Sequence, residues 1–115
     1  MLIIKLLGLN YLAMHNKQKV LNLLGLAQRA RKTTTGENLV LKKIQKRQAQ
    51  LVFLASDSGN ATQKKFIDKC RSYDTPLSVD FTRAELSVAI GQARSIIAVT
   101  DSGFGKRLKS LLFSN

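Results

Sequence analysis

Two carboxylates follow apolar runs and open the same tripeptide. "LVFLASDSGNAT" carries Asp57 and "SIIAVTDSGFGKR" carries Asp101. A carboxylate at the end of a strand is where α/β enzymes place acid–base groups, so these two are the strongest catalytic candidates in the chain. The partners for such chemistry are missing from the pattern. His15, the only histidine, sits in an apolar N-terminal stretch, and Cys70, the only cysteine, falls on the apolar face of an expected helix, so no nucleophile–base pair results. "GFGK" lacks the spacing and the hydroxyl of a phosphate loop, and no Cys/His cluster has zinc-ligand spacing. Helix capping uses both aspartates more simply, with Ser102 also expected to cap the last helix. The chain is read as a non-enzyme, with no catalytic residue, metal or cofactor.

"TTTGENLVLKK", Thr33 to Lys43, offers a different chemistry. With Asn38 at 0° and about 100° per residue, Lys42 falls near 40°, Lys46 near 80° and Lys43 near 140°, while Val40, Leu41 and Ile44 gather between about 200° and 300°. One face is apolar and the other holds an amide and three ammonium groups. An amide donates and accepts toward a base edge, whereas lysine grips phosphate without reading sequence. A helix start adds free N–H groups and the positive end of the dipole, and Gly36 adds no side chain to obstruct a ligand backbone. A second reading stands beside this one. Thr34-Thr35-Gly36-Glu37 fits a capping box that only builds the helix.

The charge balance favours a polyanion. Nineteen Lys+Arg against seven Asp+Glu give a formal +12 and a pI of about 10.4. Between Lys17 and Gln50 nine cations, among them Arg31, Lys32, Lys42, Lys43 and Lys46, face the single acid Glu37. Later clusters are Lys64, Lys65, Lys69 and Arg71, then Lys106, Arg107 and Lys109. No later helix joins a basic face to bulky aromatic anchors, so no membrane partner is expected. A lone cysteine makes no intrachain disulfide, and a reducing, cytoplasmic setting follows as the simplest.

These residues need elements to hold them. Apolar residues at three- and four-residue spacing predict a helix over Asn16–Ala30, capped by Asn16. A Thr-rich strand precedes Gly36, which opens a helix to about Arg47. "LVFLAS" and "SIIAVT" are continuous β-prone runs of the kind covered on both faces. Helices are expected over Thr62–Tyr73, Thr82–Ile90 with a Thr82/Glu85 capping box, and Ser102–Phe113, with a short strand after Pro76. Strands alternating with helices predict a small three-layer α/β/α sandwich around a mixed sheet of about four strands. The length fits one domain, residues 14–115. Residues 1–13, "MLIIKLLGLNYLA", are too short to span a bilayer and lack a cleavage site. They are an upstream start-codon misassignment or a disordered or surface-packed extension.

"TTTGENLVLKKIQKRQAQLVFLASDSGNATQKKF" and "TPLSVDFTRAELSVAIGQARSIIAVTDSGFGKRL" together resemble the kink-turn-binding ribosomal proteins of the L7Ae family, especially their bacterial YlxQ-type branch. The likeness runs from about Asn16 to Phe113. It rests on G-x-N-x-x-x-K at Gly36, Asn38 and Lys42, and on E-L-x-x-A-x-G at Glu85, Leu86, Ala89 and Gly91. It implies a sandwich fold and a partner that is structured RNA, with sheared G·A pairs beside a bulge, on ribosomal or other noncoding RNA. Carried over, Thr35, Gly36 and Glu37 form the helix start, Asn38 reads a G·A edge, and Lys42, Lys43 and Lys46 with Arg31 and Lys32 hold RNA. Gln92, Ala93, Arg94 and Ser95 form the loop over the bulge. Two departures stand out: Leu39 occupies a position where the family often has an acid, and the loop is basic where archaeal members have an apolar run. A monomer is expected. The alternative is an RNA-presenting or protein-interaction module of the same fold without kink-turn specificity.

Overall fold

The structure is a computed structural model that describes residues 2–113, with side chains placed from Asn16 onward. The side chains of the N-terminal extension and His15 lie outside the described residues. Nine elements follow in order: α1 (Leu2–Arg29), β1 (Thr33–Thr35), α2 (Glu37–Gln45), β2 (Leu51–Leu54), α3 (Asn60–Ser72), β3 (Leu77–Ser78), α4 (Arg83–Ile90), β4 (Ile96–Val99) and α5 (Ser102–Phe113). Asn16 does not cap a helix, because α1 runs through it. "MHNKQK" contains no Gly or Pro to stop one.

The strands form one mixed sheet in the order β1-β4-β2-β3. β4 pairs antiparallel with β1 (Thr33 opposite Val99, Thr35 opposite Ile97) and with β2 (Leu51 opposite Val99, Leu54 opposite Ile96), while β2 and β3 run parallel. β2 and β4 are buried along their whole length, as their unbroken apolar sequence requires. Alternation divides them between two cores. Leu51, Phe53, Ile97 and Val99 meet Val20, Leu23 and Leu24 of α1, Leu86 and Ile90 of α4 and Leu108 of α5. Val52, Leu54, Ile96 and Ala98 meet Val40 and Ile44 of α2 and Phe66 and Cys70 of α3. Two helices on one face and three on the other make the expected α/β/α sandwich.

Phe53, Phe66 and Phe81 anchor these cores, each at no more than 1% exposure and each worth about 2 kcal/mol in removed apolar surface. The Phe53 and Phe81 rings lie 5.8 Å apart at a 59° tilt, which ties the segment before α4 to the central strand. α1 and α4 come into backbone contact at Gly25, where a Cβ would sit 2.7 Å from the Ala89 carbonyl oxygen. Burial pushes the Cys70 thiol up to about 11, so it stays neutral and packs as a small apolar group.

Chain direction decides what each end of the sheet carries. Because β1 and β2 both run antiparallel to β4, the starts of α2 and α3 share one end of the sheet with the loop that enters β4. α5 begins at the opposite end.

Candidate nucleic-acid interface

α2 starts without a side-chain cap. The capping box expected at Thr34 and Glu37 does not form, since Thr33, Thr34 and Thr35 are committed to the β1–β4 ladder. Gly36 instead takes the N-cap position at φ 92°, ψ 148°, a region open essentially to glycine alone. Its N–H extends the ladder to the Ile96 carbonyl at 3.4 Å, and its own carbonyl accepts from Val40 N at 3.0 Å. The first-turn N–H groups of Glu37, Asn38 and Leu39 therefore have no side-chain partner among the described residues. The space where a Gly36 Cβ would point is empty to 4 Å.

Along α2 the polar face is as the helical period predicts. Asn38, Lys42 and Lys46 are exposed, Lys43 is half-buried with its ammonium on Gln48 Oε1 at 3.3 Å, and Val40 and Ile44 are fully buried. Leu39 is 57% exposed, so it belongs to the polar face and not to the core.

The loop from Gly91 to Ser95 lies against this helix start, and Arg94 fixes it there. Arg94 Nε donates to Thr35 Oγ1 at 3.2 Å and Nη1 donates to the Ala93 carbonyl at 2.8 Å. Its backbone is held by Ser87, whose Oγ accepts from Arg94 N at 3.0 Å and donates to Arg94 O at 3.3 Å. Ser95 is held by Ala55 N on its carbonyl and by the Arg83 guanidinium on its hydroxyl. Gln92 and Ala93 stay exposed. The structure thus brings Thr35, Gly36, Glu37, Asn38 and the 92–95 loop together, with Lys42, Lys43 and Lys46 following along α2.

Arg31 and Lys32 are not part of this group. Thr100 N and Oγ1 both donate to the Lys32 carbonyl, at 2.9 and 3.2 Å, which sets the pair at the other end of β1. Sequence reasoning also missed Arg83. Its contact with Ser95 depends on the return of the loop along α4, and no local pattern encodes that.

Asp57 and Asp101 prove to be helix caps, which removes the catalytic reading. Asp101 Oδ2 accepts from Phe104 N at 2.8 Å, so Asp101 caps α5 and Ser102 is its first helical residue. Asp57 does not cap the helix that follows it. Its Oδ1 accepts from Arg83 N at 2.8 Å, across to α4, while α3 has Gly59 at its N-cap and no side-chain cap. The repeated "DSG" therefore serves two different connections.

A three-layer sandwich with an open helix start, an arginine-anchored loop beside it and a formal charge of +12 describes a small basic binding protein. Residues 18–109 match the ribosomal protein L7Ae/L30e/S12e/Gadd45 family, and the chain belongs to that non-enzymatic family. It is 50% identical over 91 residues to a Bacillus subtilis (strain 168) protein named RNA-binding protein YlxQ, covering 78% of this chain and 91% of the relative. It is 41% identical over 97 residues to the Enterococcus faecium protein of the same name, covering 84% and 94%. Among solved structures, a Bacillus halodurans protein of unknown function superposes with a TM-score of 0.78 at 48% identity, over 82% of this chain and 96% of that one. The Giardia lamblia 15.5kD RNA binding protein shares the fold, with a TM-score of 0.73 at 16% identity over 85% of each chain. Among the described residues no helix is long and apolar enough to cross a membrane.

Proposed function

We propose that this chain binds structured RNA at a kink-turn, with Asn38 on a G·A base edge, Lys42 beside it, and the 92–95 loop over the bulge. The observation that carries this reading is the Arg94–Thr35 hydrogen bond at 3.2 Å, which holds a basic loop beside an uncapped helix start that only Gly36 can form. Free N–H donors, an amide and a row of lysines then face one direction. Such a surface offers specific bonds to base edges and screened attraction to phosphates together. Ribosomal or other noncoding RNA is the expected source, and the buried free thiol of Cys70 fits a cytoplasmic setting.

The test is a gel-shift series against a kink-turn, the same RNA with its G·A pairs disrupted, and a plain duplex. Wild type should prefer the intact kink-turn, and Asn38→Ala should remove about 1–3 kcal/mol of that preference, the worth of a bidentate base contact. Equal losses on intact and disrupted RNA would reject the base-reading role. The exposed Leu39 favours a second reading, RNA binding or presentation without kink-turn preference, because an alkyl group cannot accept from a guanine edge. Equal wild-type affinity for all three RNAs would select it.

A further inference from the structure

Positive charge also collects at the end of the sheet away from Asn38, where three segments distant in sequence converge. The Lys32 carbonyl is bound by Thr100, which fixes Arg31 and Lys32 beside the end of β4. On the other side of β4, Gln50 N donates to the Val99 carbonyl at 2.8 Å and brings the turn after Lys46 to the same edge. Gly105 packs so closely on Gln50 that a Cβ would lie 2.7 Å from the Gln50 Cβ, which sets the next residue, Lys106, there too. Arg31, Lys32, Lys46 and Lys106 are all exposed. The one ion pair among the described residues, Lys17–Glu85, involves none of them. Of the acids at this end, Asp101 is occupied in capping α5, and the exposed Asp74 follows Tyr73, whose carbonyl accepts from Arg47.

The backbone marks the same surface. Arg31 (φ 61°), Arg47 (φ 57°) and the acid Asp74 (φ 52°) hold left-handed positions just after α1, α2 and α3, where glycine ends a helix at least cost and a Cβ adds about 1 kcal/mol or more. Arg47 has an internal use, since its Nη1 donates to the Tyr73 carbonyl at 3.2 Å and its guanidinium lies 5.5 Å from the Tyr73 ring. Arg31 has no such contact among the described residues. Four residue steps separate Lys32 from Gly36, about 13 Å at the rise of a strand. Lys42 and Lys46 carry the charge along α2 in the same direction.

We propose that this far end is a second phosphate-binding surface that grips the stem of the RNA whose kinked part sits at Asn38. The proposal rests on the RNA reading given above. Arginine and lysine on an open surface hold the backbone of a duplex without reading its bases, so the far end sets how much stem the protein needs, not which sequence it selects.

The experiment lengthens each stem of a minimal kink-turn RNA in turn by roughly five base pairs, enough to cross the gap at about 3.4 Å or less per pair. For wild type, one of the two extensions should raise affinity about tenfold and steepen the plot of log affinity against log salt by about two to three. The variant Arg31→Gly/Lys32→Ser/Lys106→Ser should bind the short RNA as wild type does and gain nothing from either extension. Arg31→Gly suits the left-handed backbone, and an unchanged melting curve verifies the fold. A variant that gains as much as wild type, or a wild type that gains from neither stem, overturns the second surface. Equal loss on short and long RNA also overturns it, because the far end would then be one site with Asn38. Asn38→Ala on the short RNA separates the two claims. If it loses affinity equally for intact and disrupted G·A pairs while the stem gain survives, the base-reading role of Asn38 fails and the far-end surface stands. Loss of co-sedimentation with phosphatidylglycerol vesicles in the triple variant, with the stem gain intact, would assign the patch to a membrane instead.

Discussion

α2 and α4 start at the same end of the sheet and are finished in opposite ways. At α4, Thr82 Oγ1 accepts from Glu85 N at 3.2 Å, Glu85 Oε1 accepts from Thr82 N at 3.0 Å, and Asp57 Oδ1 takes the N–H of Arg83. The N–H groups of Thr82, Arg83 and Glu85 at the start of α4 are all bound inside the protein, so this helix is a support. At α2 no side chain takes that part, and the cap residue is a glycine in a backbone region closed to other residues. Its donors and dipole are left for something outside. Within one small fold, the difference separates a start that contributes stability from one that offers a contact.

Gly36→Ala attacks that contrast most strongly. Forcing a Cβ into φ 92°, ψ 148° should cost about 1–3 kcal/mol in denaturant unfolding and should weaken RNA binding as well, because relief of the strain turns the helix start. A Gly36→Ala protein with unchanged stability and affinity would show that the open start does not depend on this backbone. Thr82→Ala probes the other helix. It should remove about 1 kcal/mol of stability and leave affinity for kink-turn RNA within about twofold. A large loss of affinity there would erase the division between support and contact.

Two smaller effects sharpen the comparison. Lys42→Ala should leave stability nearly unchanged and reduce the salt slope of RNA binding by about 0.9, the signature of one phosphate. An unchanged slope with lower affinity would move Lys42 from backbone to base. Glu37→Gln should cost about 0.3–1 kcal/mol of stability at low salt, since an acid in the first turn favours the helix dipole. The same change should tighten RNA binding slightly by removing the one negative charge at the open start. Weaker binding would make Glu37 itself a base contact.

Most of the fold is legible in the sequence because burial writes directly into it. β2 and β4 are covered on both faces, and "LVFL" and "IIAV" are correspondingly apolar without a break. The capping box at Thr82 and Glu85 and the two faces of α2 are equally local, and each appears in the structure as the spacing predicts. What could not be read depends on pairing between distant segments. Thr34 and Thr35 look like capping residues until β4 claims their backbone. Asp57 looks like the cap of its own helix until α4 arrives beside it. Arg31 and Lys32 are only a few residues from Asn38, but an extended strand carries them to the other end of the sheet. Arg94 was legible as a loop cation, while its bond to Thr35, 59 residues earlier, was not.

Gly25 gives the architecture a mechanical property. Ala89, whose carbonyl oxygen lies only 2.7 Å from where a Gly25 Cβ would fall, stands two residues before Gly91, where the loop carrying Arg94 begins. The height of that loop above Gly36 and Asn38 is therefore gauged by the thickness of α1, on the far side of the sheet from α2. A methyl group at position 25 would act as a shim. It would push α4 away from α1 and strain the Arg94–Thr35 bond that holds the loop beside the start of α2. In the proposed RNA-binding mode, such a change would retune ligand preference from a helix outside the proposed interface.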